Sequence, residues 1–212
     1  MTDYIDIHSH NPLSEDFCTF SVRLGVDQIP EGLRYSAGVH PWDIEKVDWN
    51  RQIELLTTLD VVAIGECGLD YTIGLDREVQ KIVFQKHIDI AVERNLPLII
   101  HSVKANAEVI EMLKKSVINN AIFHSFIGSK EQAAEIIRRG WLLSFGPHSL
   151  RSSRTVEIIK TAPISSILLE SDESREGVSA IYFEVARLRN CTIEELKYNI
   201  RQNYIRIFES NI

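Results

Sequence analysis

The chain alternates short, almost continuously apolar runs with longer stretches in which apolar residues return every three or four positions. The runs Tyr4–His8, Cys18–Leu24, Tyr35–Val39, Val61–Glu66, Leu98–His101, Ala121–His124, Leu142–Phe145 and Ile167–Ser171 read as strands. A strand covered on both faces by helices has no solvent side, so it loses polar alternation, which marks a parallel sheet. Helical periodicity occupies about Asp48–Leu59, Arg77–Arg94, Asn106–Lys115, Lys130–Arg139, Ser153–Thr161, Ser179–Arg189 and Ile193–Phe208. Ser129 with Gln132, and Thr192 with Glu195, have the spacing of capping boxes. Gly140 follows Arg138-Arg139 where a helix-terminating glycine belongs. Strands alternating with helices predict an α/β fold, a (β/α)₈ TIM-type barrel. Its first two βα units are irregular. Only seven residues separate His10 from Cys18, and a helical crossover needs roughly a dozen or more. Either Cys18–Leu24 pairs antiparallel with its neighbour or the barrel is distorted there.

No linker or shift in composition divides the 212 residues, so a single domain, 1–212, is expected. Lys and Arg number 23 against 30 Asp and Glu, a net charge of −7. That balance excludes a general polyanion binder, because such affinity comes from basic residues displacing counterions. Contact with nucleic acid would have to rest on a local site carrying cations. Cys18, Cys67 and Cys191 are odd in number and form no C-x-x-C, which suits free thiols in a reducing compartment. No apolar run approaches ~18 residues and the start lacks a signal-peptide pattern. A cytoplasmic protein with no membrane association and no obligate protein partner is expected.

Five of the seven histidines fall at or just beyond strand ends. His8 and His10 are two residues apart, so they project to the same side of a strand. Glu66 ends an apolar strand, His101 and His124 close two more, and Asp172 follows another. Charge at a buried strand tip is costly unless paired or bound to a metal. The set His8, His10, Glu66, His101, His124 and Asp172 offers four imidazoles, two carboxylates and no thiolate, suited to Zn²⁺, Mn²⁺ or Mg²⁺. Six donors are too many for one ion with an open position, and they suit two.

These residues stand in motifs that resemble, in order, those of the TatD family of metal-dependent hydrolases. The motifs are Asp6-Ile7-His8-Ser9-His10, Gly38-Val39-His40-Pro41, Gly65-Glu66-Cys67-Gly68-Leu69-Asp70-Tyr71, Ile99-Ile100-His101-Ser102, His124-Ser125-Phe126-Ile127-Gly128-Ser129 and Leu169-Glu170-Ser171-Asp172. The resemblance implies an amidohydrolase-like barrel that cleaves phosphodiester bonds, with DNA as substrate. By similarity His8, His10, Glu66 and Asp172 hold one ion, and Glu66 bridges to a second held by His101 and His124. His40 would lie close to the substrate, and Lys104 would supply a cation for a phosphate. Asp172 is expected to orient the attacking water and take its proton, with Glu170 and Asp6 supporting the ligands. Two departures from the family pattern bear on substrate choice: the stretch from His10 to Gly38 is short, and the Pro-containing loop usual after Asp172 is missing.

Plainer roles stand beside these. His40 could cap the turn before Pro41, and Lys104 could be a solvated lysine. His87, inside a helix, and His148, in a polar loop, read as surface histidines. Cys67 should face away from Glu66 into the core, and Trp42 alone among the tryptophans could line the mouth. Arg138, Arg139, Arg151 and Arg154 suit solvated helix ends as well as a nucleic-acid backbone. The acidic charge and short loops leave room for a second function, a metal-dependent deacylase or amidohydrolase acting on a small ester or amide. A third is a catalytically weak metal-binding partner protein.

Overall fold

A computed structural model describes residues 4–11 and 17–209. Most of the short connection between His10 and Cys18, and the first three residues of the start, lie outside them. The strands are β1 (Ile5–Ser9), β2 (Phe17–Arg23), β3 (Tyr35–Gly38), β4 (Ala63–Asp70), β5 (Leu98–Val103), β6 (Ala121–Phe123), β7 (Leu142–Phe145) and β8 (Ile167–Leu169). The helices are α1 (Trp49–Leu56), α2 (Arg77–Glu93), α3 (Asn106–Lys114), α4 (Lys130–Arg138), α5 (Pro147–Arg151), α6 (Ser153–Thr161), α7 (Ser179–Arg189) and α8 (Ile193–Tyr204). All eight strands join one sheet in sequence order, and a parallel bridge between Ser9 and Asp172 returns β8 to β1. The architecture is a distorted (β/α)₈ barrel.

The chain forms two compact units, Met1–Phe20 with Phe123–Ile212, and Ser21–Ile122. In the first, β1 pairs with β2 in parallel, Ile5 opposite Phe17 and Asp6 opposite Cys18, with a register shift before Ser9. The antiparallel alternative is therefore wrong, and the irregularity is a distortion of a parallel pair. Tyr182 of α7 anchors the start of β1. Its buried hydroxyl donates to the Ile5 carbonyl at 3.0 Å and accepts the Ile5 N–H at 3.2 Å. Both expected capping boxes, at Ser129 and Thr192, are present. Gly140 ends α4 with φ of 79°, the left-handed conformation in which a side chain is strained. His148 is exposed on α5, not in a loop; Pro147 at the first helical position starts that short helix. The last predicted helix stops at Tyr204, and Ile205–Glu209 winds on as a wider π-type turn.

In the second unit, β3, β4 and β5 pair in parallel beneath α2. Helix α2 buries Val83, Phe84, Ile88 and Ala91, and fully burying a Val or Phe side chain stabilises by about 1.5–3 kcal/mol. The same face carries two polar side chains. Gln80 accepts the Asp70 N–H at 2.8 Å and donates to the Asp70 carbonyl at 3.0 Å. His87 accepts the Val39 N–H at 2.9 Å through Nε2, and its Nδ1 lies 2.8 Å from the Val83 carbonyl. His87 is thus not a surface residue but fully buried. Because the peptide N–H can only donate, Nε2 must be the acceptor and Nδ1 carries the proton. Burial pushes its pKa down to about 4. Glu66 lies inside β4, not at a strand tip, because pairing with β5 continues to Asp70 opposite Val103.

Candidate metal centre

The first unit gathers His8, His10, His124, Glu170 and Asp172. His8 is fully buried on β1 and His10 lies one residue beyond its end. Asp172, at φ of 55°, is pinned beside them: its N–H donates to the His8 carbonyl at 3.0 Å, and its carbonyl accepts the His10 N–H at 3.0 Å. Asp172 Oδ1 then stands 3.9 Å from Nε2 of both His8 and His10. That separation is too long for a hydrogen bond. Two atoms that bind one ion at ~2.0–2.2 Å stand about 2.8–3.6 Å apart at octahedral or tetrahedral angles, so an ion here would draw the carboxylate a few tenths of an ångström closer to the rings. The His8 ring also lies 4.4 Å from that of His124, centroid to centroid. His124 follows β6, its Nδ1 3.2 Å from Glu170 Oε1, which accepts the Ser125 N–H at 2.6 Å. Glu170 therefore orients His124. Asp6 engages the His8 backbone and Ser171. It accepts the Ser171 hydroxyl and N–H at 2.6 and 3.0 Å and the His8 N–H at 3.3 Å. Burial raises the Asp6 carboxyl to about 7, with the Ser171 and His8 bonds opposing.

The second unit gathers His40, Glu66, Asp70 and His101. Two glycines make room around Glu66. At Gly65 (φ 128°) an added Cβ would run into the Ile99 carbonyl, and at Gly68 (φ 147°) into the His101 carbonyl. Only glycine lets β4 approach β5 this closely. Cys67 faces the core, fully buried, so no thiolate enters the cluster. Glu66 Oε1 lies 2.7 Å from His101 Nδ1 and 3.2 Å from His40 Nε2. His40 takes the capping role expected of it and also faces Glu66 and His101. Its Nδ1 accepts the Trp42 N–H at 3.1 Å, capping the turn, and its Nε2 reaches the cluster. Burial lowers the His40 pKa, with Glu66 opposing. Neutral, with Nδ1 occupied as an acceptor, His40 carries its proton on Nε2, where it is a donor rather than a metal ligand.

Sequence reasoning gave Asp70 no role, although it lies in the quoted motif. Its Oδ2 is 3.4 Å from His101 Nε2 and accepts the Trp42 indole N–H at 2.8 Å, while Thr72 donates twice to Oδ1. Burial disfavours its charge, but the bonds from His101, Thr72 and Trp42 outweigh that and hold the carboxyl far below the usual range. Lys104 is exposed, in left-handed backbone (φ 53°) just before α3.

Two triads in the first unit, His8/His10/Asp172 and His124/Glu170/Asp172, keep one ligand atom per residue within 4.8 Å of the others, and in the second unit Glu66 and His101 form such a group with His40 Nε2, which faces them as a donor. Nitrogen and carboxylate donors at such spacing, without sulfur, fit a hard or borderline divalent cation. A barrel that carries these clusters on and just beyond its strands fits a metal-dependent hydrolase. The family profile of TatD-related DNases matches residues 22–209. YabD of Bacillus subtilis, described as an uncharacterized metal-dependent hydrolase, is 32% identical over 197 residues, covering 82% of this chain and 76% of that protein. Human deoxyribonuclease TATDN3 is 30% identical over 166 residues, 70% of this chain and 60% of that one. Among solved structures, the Escherichia coli TatD homologue YjjV superposes with a TM-score of 0.81 at 22% identity, over 97% of this chain and 98% of that one. The chain belongs to the TatD-related DNase family and is a metal-dependent hydrolase of that type. Among the described residues no helix is long and apolar enough to cross a membrane.

Proposed function

We propose that the protein hydrolyses phosphodiester bonds of DNA with two divalent ions. The observation that carries this reading is the 3.9 Å spacing of Asp172 from His8 and His10, together with a buried Glu66–His101 pair at positions that match the family's motifs. His8, His10 and Asp172 would hold one ion, and Glu66 and His101 a second; the resemblance adds Glu66 to the first set and His124 to the second. When bound, such ions lower the pKa of a coordinated water toward ~7 and polarise phosphoryl oxygens.

The chain's own residues do the rest. Asp172, held rigidly by two backbone hydrogen bonds, orients the water and accepts its proton. His40, its Nδ1 engaged by Trp42, directs its Nε2–H toward Glu66 at 3.2 Å and can turn that one donor to a phosphoryl oxygen once Glu66 is engaged elsewhere. Exposed Lys104 is a cation that can meet a phosphate from solvent. Relatives named as deoxyribonucleases support DNA as the substrate.

The test is a panel of metal-loaded protein on a single-stranded oligonucleotide, a phosphodiester dye ester and a carboxyl ester. Hydrolysis of the phosphodiesters is expected. Cleavage of the carboxyl ester alone would indicate a deacylase, favoured by the net charge of −7. Equal rates for wild type and Asp172→Asn on every substrate would indicate a metal-binding protein without catalysis.

A further inference from the structure

Trp42 is 44% exposed although it is among the largest apolar side chains in the protein. It is also fixed. Its indole N–H is bonded to Asp70, and its backbone N–H to His40. Its ring meets the rings of His40 and His101 edge-on, at centroid distances of 4.6 and 5.9 Å. It lines a cavity of about 550 Å³ together with Pro41, Ile73 and Leu75, with Glu45 and Lys46 also at its wall. That volume is within the ~300–1,000 Å³ usual for small-molecule sites.

The geometry points to a nucleobase subsite: Trp42 stacks the base of the nucleotide whose phosphate is held at the neighbouring His40/Glu66/His101 cluster. This rests on the phosphodiesterase reading and goes beyond it by naming what the enzyme recognises. An aromatic ring that is exposed yet immobilised loses little freedom on binding, which favours stacking as a mode of recognition. Trp42 touches the histidine cluster itself, so a base stacked there belongs to a nucleotide adjoining the reacting phosphate. Lys46 is exposed and meets Asp43 at 3.4 Å, whose carboxylate is already engaged bidentately by Arg23. Its ammonium is available to the next phosphate, while the Glu45 carboxylate repels one on its own side. Because every base has a π face, the subsite would tolerate any sequence but not a missing base.

The experiment compares a single-stranded oligonucleotide with one carrying an abasic residue next to the cleaved bond, for wild type, Trp42→Phe and Trp42→Leu. Wild type should show a KM at least ~5-fold lower for the intact strand. Trp42→Phe should keep most of that preference, and Trp42→Leu should bring the ratio near one. The ratio cancels any general damage from releasing Asp70. An unchanged ratio in Trp42→Leu overturns the proposal. Indole fluorescence supplies a second readout. Quenching by the intact strand, weaker with the abasic strand and lost in Trp42→Phe, supports the subsite. Equal quenching by both strands refutes it. Should wild type cleave neither strand, the phosphodiesterase reading fails, and the subsite stands or falls on quenching alone.

Discussion

Replacing His87 tests how α2 holds the strand that delivers His40. In the native protein Nε2 accepts the Val39 N–H and Nδ1 donates to the Val83 carbonyl. That carbonyl is also placed to accept the His87 backbone N–H within the helix, so losing Nδ1 leaves it satisfied. The Val39 N–H has no such alternative. In His87→Leu it is buried without a partner, at a cost of about 1–3 kcal/mol. For a chain of this size that lowers the melting temperature by roughly 2–12 °C. Acid adds an independent signature. His87 titrates at about 4 when folded and near its ordinary 6.5 when unfolded, so between those values the unfolded chain takes up a proton that the native protein refuses. Stability therefore falls as pH drops through 6.5 and levels out below 4. Between pH 7.5 and 5.0 this one group removes about 2 kcal/mol. His87→Gln, which can still accept from Val39 but does not titrate, lacks that loss. Urea melts of wild type and His87→Gln at the two pH values should diverge by this amount, wild type losing more in acid. Parallel losses would refute the assignment, as would a His87→Leu protein as stable as wild type at pH 7.5.

Gly68→Ala should destabilise by about 1–3 kcal/mol and weaken metal binding together, because the new methyl meets the His101 carbonyl; urea melts and metal titration check the pair. Tyr182→Phe should cost about 1–3 kcal/mol by stripping Ile5 of its hydroxyl partner, while metal content measured by elemental analysis stays at the wild-type value. Asp172→Asn should keep the far-ultraviolet circular dichroism of wild type and lose about 10²–10⁴-fold in turnover on a phosphodiester.

The strand ends were legible because a parallel strand under helices leaves a plain signature, an apolar run that stops at a polar residue. His124 and Asp172 follow such runs and lie beyond the ends of β6 and β8, whereas His101, expected to close β5, lies inside it because pairing with β4 continues to Val103. His87 was not legible in the same way, since Gln85 and Lys86 before it look like a solvated face. A signal existed nonetheless: positions 80, 83, 84, 87, 88 and 91 fall on one side of a helix, and four of those six are apolar. What no helical pattern contains is the reason for a histidine there, an unpaired N–H at Val39 on another element. Asp70 was hidden for a related cause. Its partners Trp42, Thr72 and His101 come from separate segments, and only β3, β4 and β5 pairing in register joins them. The parallel pairing of β1 with β2 was left open because loop length alone argued against a helical crossover without excluding an irregular one.

The claim on which the account depends is that both histidine–carboxylate clusters bind divalent ions. Metal content, measured on wild type, His10→Ala and His101→Ala after equilibration with Mn²⁺ or Zn²⁺ and removal of excess ion, tests it most directly. Two equivalents in wild type and a deficit of one in each variant are expected. A full complement retained by both variants, or none in wild type, would contradict it.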